Sequence, residues 1–403
     1  MPLPPGFSTI DFDEYHRVTL PGLLAAGRAE IAARAAAGRR SIALHVGDRG
    51  AYTYRPAAEG VEILPGDAGA DTVLQMDLEA WQGLVHELEA PAGLLYARRI
   101  RCLRGDAVDL MSWESALRAL YNGRPPYDGA RLDLRDSSGA PLDPSRTFTL
   151  ADDRAAMAHF LSAAGYLFVR DVFAADTVAL LLGEAQELRQ EARKGDKLSW
   201  WGINSTGDEV LCRVTRGVAK PHLAALRQDP RLLALRDLAG EPLEYRRGEG
   251  QGVTVIFKNP EMVQGLGDLP WHRDCGMGGH AVMCPVLVAS LYLTEATPES
   301  GELAMLPGSQ RAAFNAHDPV RSRNFPSAHF DARPGDVSLH YSDTVHAAPA
   351  PTAHDRDRYR VSAVLSYARP EARNHRGEGS YNDVLHDRDD GQVEHLKDVA
   401  RRL

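Results

Sequence analysis

Residues 122–148 carry Gly123, Pro125, Pro126, Gly129, Gly139, Pro141 and Pro144. Glycine and proline at that density interrupt both helices and central strands. They therefore split the chain into two parts, which differ in pattern. A length of 403 residues allows two to three domains. With 44% hydrophobic and 25% charged residues, each part can bury a core. The net charge of −9, without any Lys/Arg-rich stretch, argues against nucleic acid as a partner. No apolar run approaches the ~20 residues that cross a bilayer, so no integral membrane association is expected. The start, Met1 to Phe7, lacks a basic segment followed by an apolar one, and Cys102, Cys212, Cys275 and Cys284 are too few for a disulfide scaffold. A cytoplasmic protein with reduced thiols is expected.

The first part reads as α+β. Residues 12–37 form an alanine-rich helical opening, with Leu20, Leu23, Leu24 and Ile31 near one face and Gly38 as the stop. Short strands are expected at 41–46, 51–54, 60–64 and 72–76. The period then becomes helical at 78–89, where Leu78, Trp81, Leu84, Val85 and Leu88 share a face. A strand at 99–103 and a helix at 112–121, capped by Ser112, complete the pattern.

The second part starts with a helix at 151–164, a strand at 165–170 and a long helix at 175–194. After residue 250 it becomes strands between turns, at 253–258, 287–293, 301–306, 336–340 and 358–367. Many short strands with Gly/Pro turns indicate a sandwich or jelly roll.

The chemistry centres on Pro270-Trp-His-Arg-Asp274. Along a strand, residues i and i+2 face one side, so His272 and Asp274 can bind one cation together. A third ligand must come from elsewhere, and His346 is the best candidate. Two imidazoles and one carboxylate on one face of a metal are the ligand set of non-haem Fe(II) oxygenases. The other His-x-Asp, His329-Phe330-Asp331, lacks the same following context. Within 358–367 the odd positions (Tyr359, Val361, Ala363, Leu365, Tyr367) are apolar, while the even ones (Arg358, Arg360, Ser362, Val364, Ser366) make a mainly polar face. A guanidinium there can grip a carboxylate such as the distal one of 2-oxoglutarate.

In order along residues 150–375, the chain shows Gly165-Tyr-Leu-Phe-Val-Arg-Asp171, Lys258-Asn-Pro260, Pro270 to Asp274, Ser300-Gly-Glu-Leu-Ala-Met-Leu-Pro-Gly-Ser309, and Gly335-Asp336 through His346. This set resembles the phytanoyl-CoA dioxygenase family of Fe(II)/2-oxoglutarate oxygenases. The resemblance implies a double-stranded β-helix (jelly roll) with flanking helices, and Fe(II), 2-oxoglutarate and O2 as cofactor and cosubstrates. It implies that His272, Asp274 and His346 bind iron. It assigns Arg360, followed seven residues later by aromatic Tyr367, to 2-oxoglutarate, with Lys258 nearby. Arg273 and Ala347-Ala348 depart from the family's usual residues. Residues 12–125 resemble the sterol-carrier-protein-2 (SCP-2) fold, on Gly69 to Trp81 and Ile100 to Asp106. That family encloses an apolar tunnel; the plainer expectation is a solid core.

The expected organisation is an SCP-2-like α+β domain at 1–125, a linker at 126–149 and an oxygenase domain at 150–403. The expected activity is hydroxylation of a small substrate, lipid-like or natural-product in type, with release of succinate and CO2. Arg273 is a candidate contact for an anionic substrate group, the other reading being a surface charge. Trp201, in the pair Trp200-Trp201 before a polar loop, is a candidate lid over substrate, the other reading being core packing. His340 reads as a packed or hydrogen-bonded neighbour of the site, not a ligand. Two rivals remain: a non-catalytic lipid carrier, and a zinc-stapled binding module using His272, Cys275, His280 and Cys284.

Overall fold

A computed structural model describes residues 7–245, 252–264, 269–274, 286–314, 326–349, 351–352, 359–369 and 399–403. Cys275, His280, Cys284 and Arg358 lie outside the described residues.

The opening helical run spans residues 12–36, broken into short segments. Two of them, Tyr15–Thr19 and Leu24–Arg28, are π-helical, and Gly27 (φ 104°) kinks the run. Five strands follow: β1 (Ile42–Val46), β2 (Ala51–Ala57), β3 (Gly60–Pro65), β4 (Thr72–Met76) and β5 (Ile100–Arg104). They form one sheet in the order β3-β2-β1-β4-β5, with β1 and β4 parallel. Asp77 caps the helix Leu78–Val85 by accepting from Ala80 N at 2.6 Å. The last helix runs from Val108 to Asn122, four residues earlier than expected. Ser112 is not its cap. The hydroxyl donates to Asp109 O at 2.8 Å inside the first turn, and Asp106 accepts from Val108 N at 2.9 Å at the start.

The helices bury Phe12, Trp81, Trp113 and Leu120 against the inner face of this sheet, so the interior is filled by large side chains. A directed polar chain crosses it. His16 Nδ1–H donates to Phe12 O at 2.6 Å, which leaves Nε2 to accept from the Tyr54 hydroxyl at 2.6 Å; Tyr54 in turn lies 2.6 Å from the Tyr121 hydroxyl.

Among the described residues, the second region holds thirteen strands. These are β6 (Tyr166–Val169), β7 (Ser199–Asn204), β8 (Glu209–Val214), β9 (Glu244–Tyr245), β10 (Thr254–Lys258), β11 (Met262–Gln264), β12 (Leu269–His272), β13 (Val286–Tyr292), β14 (Leu303–Met305), β15 (Ala328–Phe330), β16 (Val337–Tyr341), β17 (His346–Ala348) and β18 (Arg360–Ala368). Nine of them form the major sheet, β11-β7-β8-β10-β18-β13-β16-β6 with β9 beside β18; β12-β17-β14-β15 form the minor one. The sheets face each other. Phe168 of β6 stacks on Phe330 of β15 with centroids 4.3 Å apart, and Tyr292 of β13 meets the same ring edge-on at 5.6 Å. Apolar residues of both sheets make one core, flanked by the helices Arg154–Ala164 and Ala175–Glu191. This is the expected α+β jelly roll. The hairpin β7–β8 stands where a polar loop was expected after Trp201.

The Gly335-Asp336 motif has a structural task. Gly335 has φ 97°, and a Cβ there would stand 2.2 Å from Phe173 O. Buried Asp336 accepts from Arg170 Nη1 at 2.7 Å, Asp171 N at 2.8 Å and Arg333 N at 2.9 Å. These bonds lock the start of β16 to the end of β6.

The two regions interlock. Trp200 on β7 is buried in the first core, as are Val399 and Ala400, and Cys102 N donates to Leu403 O at 3.2 Å. The end of the chain, expected to pack with the second part, thus packs on the first. Residues 126–149 lie along the second region: Tyr127 N donates to Ala313 O at 2.7 Å and Phe148 N to Phe168 O at 2.8 Å. Among the described residues, no helix is long and apolar enough to cross a membrane.

Burial pushes the His16 imidazole down to about 4, against an ordinary value near 6.5. A neutral, buried histidine contributes fully above pH 6.5, and that contribution is lost as pH falls toward 4, because only the unfolded chain takes up the proton. The loss is ~1.4 kcal/mol per pH unit at most. Thermal melting from pH 7 to pH 5 should therefore fall more steeply in the wild type than in His16→Gln, by about 1–2 kcal/mol. Parallel pH profiles would contradict this assignment.

Candidate active site

Strand pairing brings the third candidate ligand, His346, beside the other two. β12 runs antiparallel to β17, and His272 is the cross-strand partner of His346. Residues 74 positions apart in sequence thus become direct neighbours, with ring centroids 4.2 Å apart. Asp274, two residues beyond His272, returns to the same side. One ligand atom from each of His272, Asp274 and His346 lies within 4.8 Å of the others.

The protonation pattern suits a cation. His346 Nδ1 lies 3.0 Å from Thr344 O, so Nδ1 carries the hydrogen and Nε2 offers a lone pair. That Nε2 is 3.8 Å from Asp274 Oδ1, and His272 Nε2 is 3.6 Å from the same oxygen. Burial, and then the neighbouring imidazoles of His272 and His340, hold His346 well below the usual histidine range. Burial works to raise the Asp274 carboxyl, but His346, His272 and His340 outweigh it and hold it well below the usual carboxylate range. The donor set is two imidazoles and one carboxylate, which fits a divalent cation with N/O preference. Buried His340 of β16 places Nε2 3.4 Å from Asp274 Oδ2, the oxygen turned away from the other two imidazoles. It is the hydrogen-bonded neighbour expected.

A second feature lies on the major sheet. Lys258 of β10 and Arg360 of β18 are cross-strand partners, and both are buried. Each reaches across the sandwich to a carbonyl. Lys258 donates to Ala348 O, two residues past His346, and Arg360 Nη1 donates to Gly301 O at 2.7 Å. Arg360 Nε has no partner, and no carboxylate among the described residues pairs with this guanidinium. Burial holds Arg360 below its usual value, with Tyr292 opposing. Two buried cations side by side, one with an unused donor, fit an anionic ligand such as the distal carboxylate of 2-oxoglutarate. The odd face of β18 is the expected apolar one: Val361, Ala363, Leu365 and Tyr367 are all buried in the core.

Two expected substrate contacts are placed elsewhere. Arg273 is one residue from each ligand of the pair, so its side chain leaves the opposite side of the strand. It is buried, donates to Ala312 O, and its charged neighbours are Arg118, Asp343, Glu114 and Arg124. Trp201 packs against the second core and donates through Nε1 to Ser199 Oγ at 2.9 Å. Alternation along the strands, available from the sequence, separates both from their neighbours His272 and Trp200. Sequence reasoning also passed over Gly301, whose carbonyl receives Arg360. A Cβ at Gly301 would stand 2.8 Å from Pro349 O and 2.9 Å from Lys258 Cε.

The sequence profile of the phytanoyl-CoA dioxygenase (PhyH) family matches residues 161–358. A probable alpha-ketoglutarate-dependent hypophosphite dioxygenase of Stutzerimonas stutzeri is 23% identical over 243 residues, which cover 54% of this chain and 80% of that protein. Among solved structures, AviO1 from Streptomyces viridochromogenes Tue57 is 25% identical with a TM-score of 0.44, over 55% of this chain and 97% of its own. EctD from S. alaskensis, crystallised with 2-oxoglutarate and 5-hydroxyectoine, is 22% identical with a TM-score of 0.44, over 62% of this chain and 88% of its own. The family match runs from before β6 to beyond β17 and so contains His272, Asp274 and His346: residues 161–358 are a phytanoyl-CoA dioxygenase (PhyH) family domain, and the protein is a non-haem Fe(II)- and 2-oxoglutarate-dependent dioxygenase.

Proposed function

We propose that His272, Asp274 and His346 hold the Fe(II) ion, that Arg360 and Lys258 hold 2-oxoglutarate, and that the enzyme hydroxylates a small organic substrate. The observation that carries this reading is the convergence of the three ligand atoms within 4.8 Å. When bound, the ion activates O2 while 2-oxoglutarate leaves as succinate and CO2, and the substrate gains a hydroxyl group. The protein's own part is orientation. The β12–β17 pairing holds the imidazoles, and the Thr344 carbonyl keeps the His346 Nε2 lone pair free. His340 engages Asp274 Oδ2, which favours coordination through Oδ1. The presence of a carboxylate at 274 favours hydroxylation over halogenation, since a small residue there would leave room for a halide.

The domain reading that goes with this is an SCP-2-like domain at 1–125, a linker at 126–149 and the oxygenase domain at 150–403, whose last residues, 399–403, pack back on the first domain. The order of the first, helix, β1–β4, two short helices (Leu78–Val85 and Pro91–Tyr96), β5, helix, supports it. Its interior is filled by Trp81, Trp113 and Phe12, which favours a packed supporting domain over a lipid carrier.

His346→Ala and Asp274→Ala should each lower iron- and oxoglutarate-dependent succinate formation at least ~100-fold with the melting temperature largely kept. Full activity in either variant would overturn the reading. Arg360→Met should raise the half-saturating concentration of 2-oxoglutarate ~100-fold, roughly 2.8 kcal/mol, more than that of Fe(II). Gly301→Ala should lower stability by about 1–3 kcal/mol and raise the same constant, because the new methyl displaces Lys258. An unchanged constant in Arg360→Met would move the cosubstrate elsewhere.

A further inference from the structure

Thr344 O, the acceptor for His346 Nδ1, belongs to a peptide unit that is held from its other side. That unit is planar and trans, so its carbonyl and the N–H of Val345 point in opposite directions and turn together. Val345 N donates to Ser309 Oγ at 2.8 Å. Whatever fixes this N–H therefore fixes the direction in which Thr344 O meets the imidazole.

Ser309, fully buried at the end of the Ser300–Ser309 motif, is suited to that task. Its hydroxyl donates to Leu306 O at 2.7 Å, so its hydrogen is committed and a lone pair is turned to Val345 N. Leu306 N in turn donates to Val345 O at 2.9 Å. The turn after β14 thus grips Val345 at both its N–H and its C=O. Thr344, also fully buried, is anchored separately. Its hydroxyl donates to Gly165 O at 2.6 Å, and Gly165 O also accepts from Tyr341 N at 3.0 Å. Gly165 has φ 90°, and a Cβ there would stand 2.7 Å from Thr344 Oγ1, so a glycine is what lets the hydroxyl come this close. Three stretches that mark the family in sequence, one opening at Gly165, one ending at Ser309 and one ending at His346, meet at one peptide unit.

Buried backbone groups need partners everywhere, and a hydroxyl that satisfies one N–H is ordinary. What sets this one apart is that the same peptide carries the acceptor of a candidate metal-ligand imidazole. A hydrogen bond to the N–H polarises the peptide and strengthens its carbonyl as an acceptor. The acceptor at Nδ1 in turn fixes the ring orientation and raises the basicity of Nε2.

We propose that Ser309 and Thr344 are positioning residues for the iron site: their hydroxyls fix the Thr344–Val345 peptide, and through it the orientation and donor strength of the His346 imidazole. The proposal rests on the reading of His346 as an iron ligand.

The test uses the full chain and two readouts. The first is the His346 Nδ1–H resonance of metal-free protein with isotope-labelled histidine, assigned by its absence in His346→Ala. It should exchange with solvent at least about tenfold faster in Ser309→Ala and in Thr344→Val. The second is anaerobic titration with Fe(II) in saturating 2-oxoglutarate, followed by the visible charge-transfer band. The same two variants should bind Fe(II) about tenfold more weakly and shift the band. Thr344→Ser, which keeps the hydroxyl, should return both readouts to within about threefold of wild type. Ser41→Ala is the control, because it removes another buried hydroxyl, bonded to Asp71 at 2.7 Å in the first region. It should melt at a lower temperature yet bind Fe(II) within about twofold of wild type. If Ser309→Ala does not fold, Ser309→Cys, close in size but a weak acceptor, takes its place. Unchanged exchange or unchanged Fe(II) affinity in the Ser309 variant or in Thr344→Val would overturn the proposal. So would an equal weakening in Ser41→Ala, which would trace the effect to stability alone. Fe(II) affinity like wild type in His346→Ala would overturn the reading of His346 as a ligand, and the proposal with it.

Discussion

The antiparallel pairing of β12 with β17 is the constraint on which the site depends. An imidazole is a directional ligand, and its nitrogen must be presented at a fixed place. By making His272 and His346 cross-strand partners, the minor sheet turns a long sequence separation into one rung of a ladder. Slipping that register by one residue would send one imidazole to the far side of the strand. The jelly roll is thus more than a container. Its hydrogen-bond ladder is what brings the donor set together, and Thr344 O and His340 then orient the two kinds of ligand.

The second constraint is electrostatic. Lys258 and Arg360 place two positive charges side by side in the interior, and carbonyl oxygens offset only part of that cost. From the major sheet they reach Ala348 of β17 and Gly301 just before β14, so this pair of cations is joined to the strand that carries His346. The Asp336 cluster does comparable work beside the edge strand β6, where it fixes the entry to β16. Motifs that mark the family in sequence therefore divide into those that carry chemistry and those, such as Gly335-Asp336, that hold the strands carrying it.

Much of this was legible in the residues. The period-2 pattern of β18 announced one apolar and one polar face; the apolar one is buried in the core, and the polar one carries the buried Arg360 and Ser362. The i, i+2 spacing of His272 and Asp274 announced a shared side. The same rule, applied to position 273, also shows that Arg273 must point the other way, and the expectation of substrate contact there set that rule aside. Trp200 and Trp201 divide between the two cores for a similar reason. Other features had no local signal. Ser112 looks like a cap, but the helix already starts at Val108, because Asp106 satisfies its first amide. The β7–β8 hairpin is made by pairing with β10 and β11, which a reading of single segments does not reveal.

The central claim is that two imidazoles and one carboxylate converge on a redox-active metal. Its most direct measurement is a crystal structure grown anaerobically with Fe(II), with anomalous scattering recorded at the iron edge. The account predicts one strong iron peak within bonding distance of His272 Nε2, His346 Nε2 and an oxygen of Asp274. An iron peak away from these three atoms, or a metal held instead by Cys275, His280 and Cys284, would contradict it.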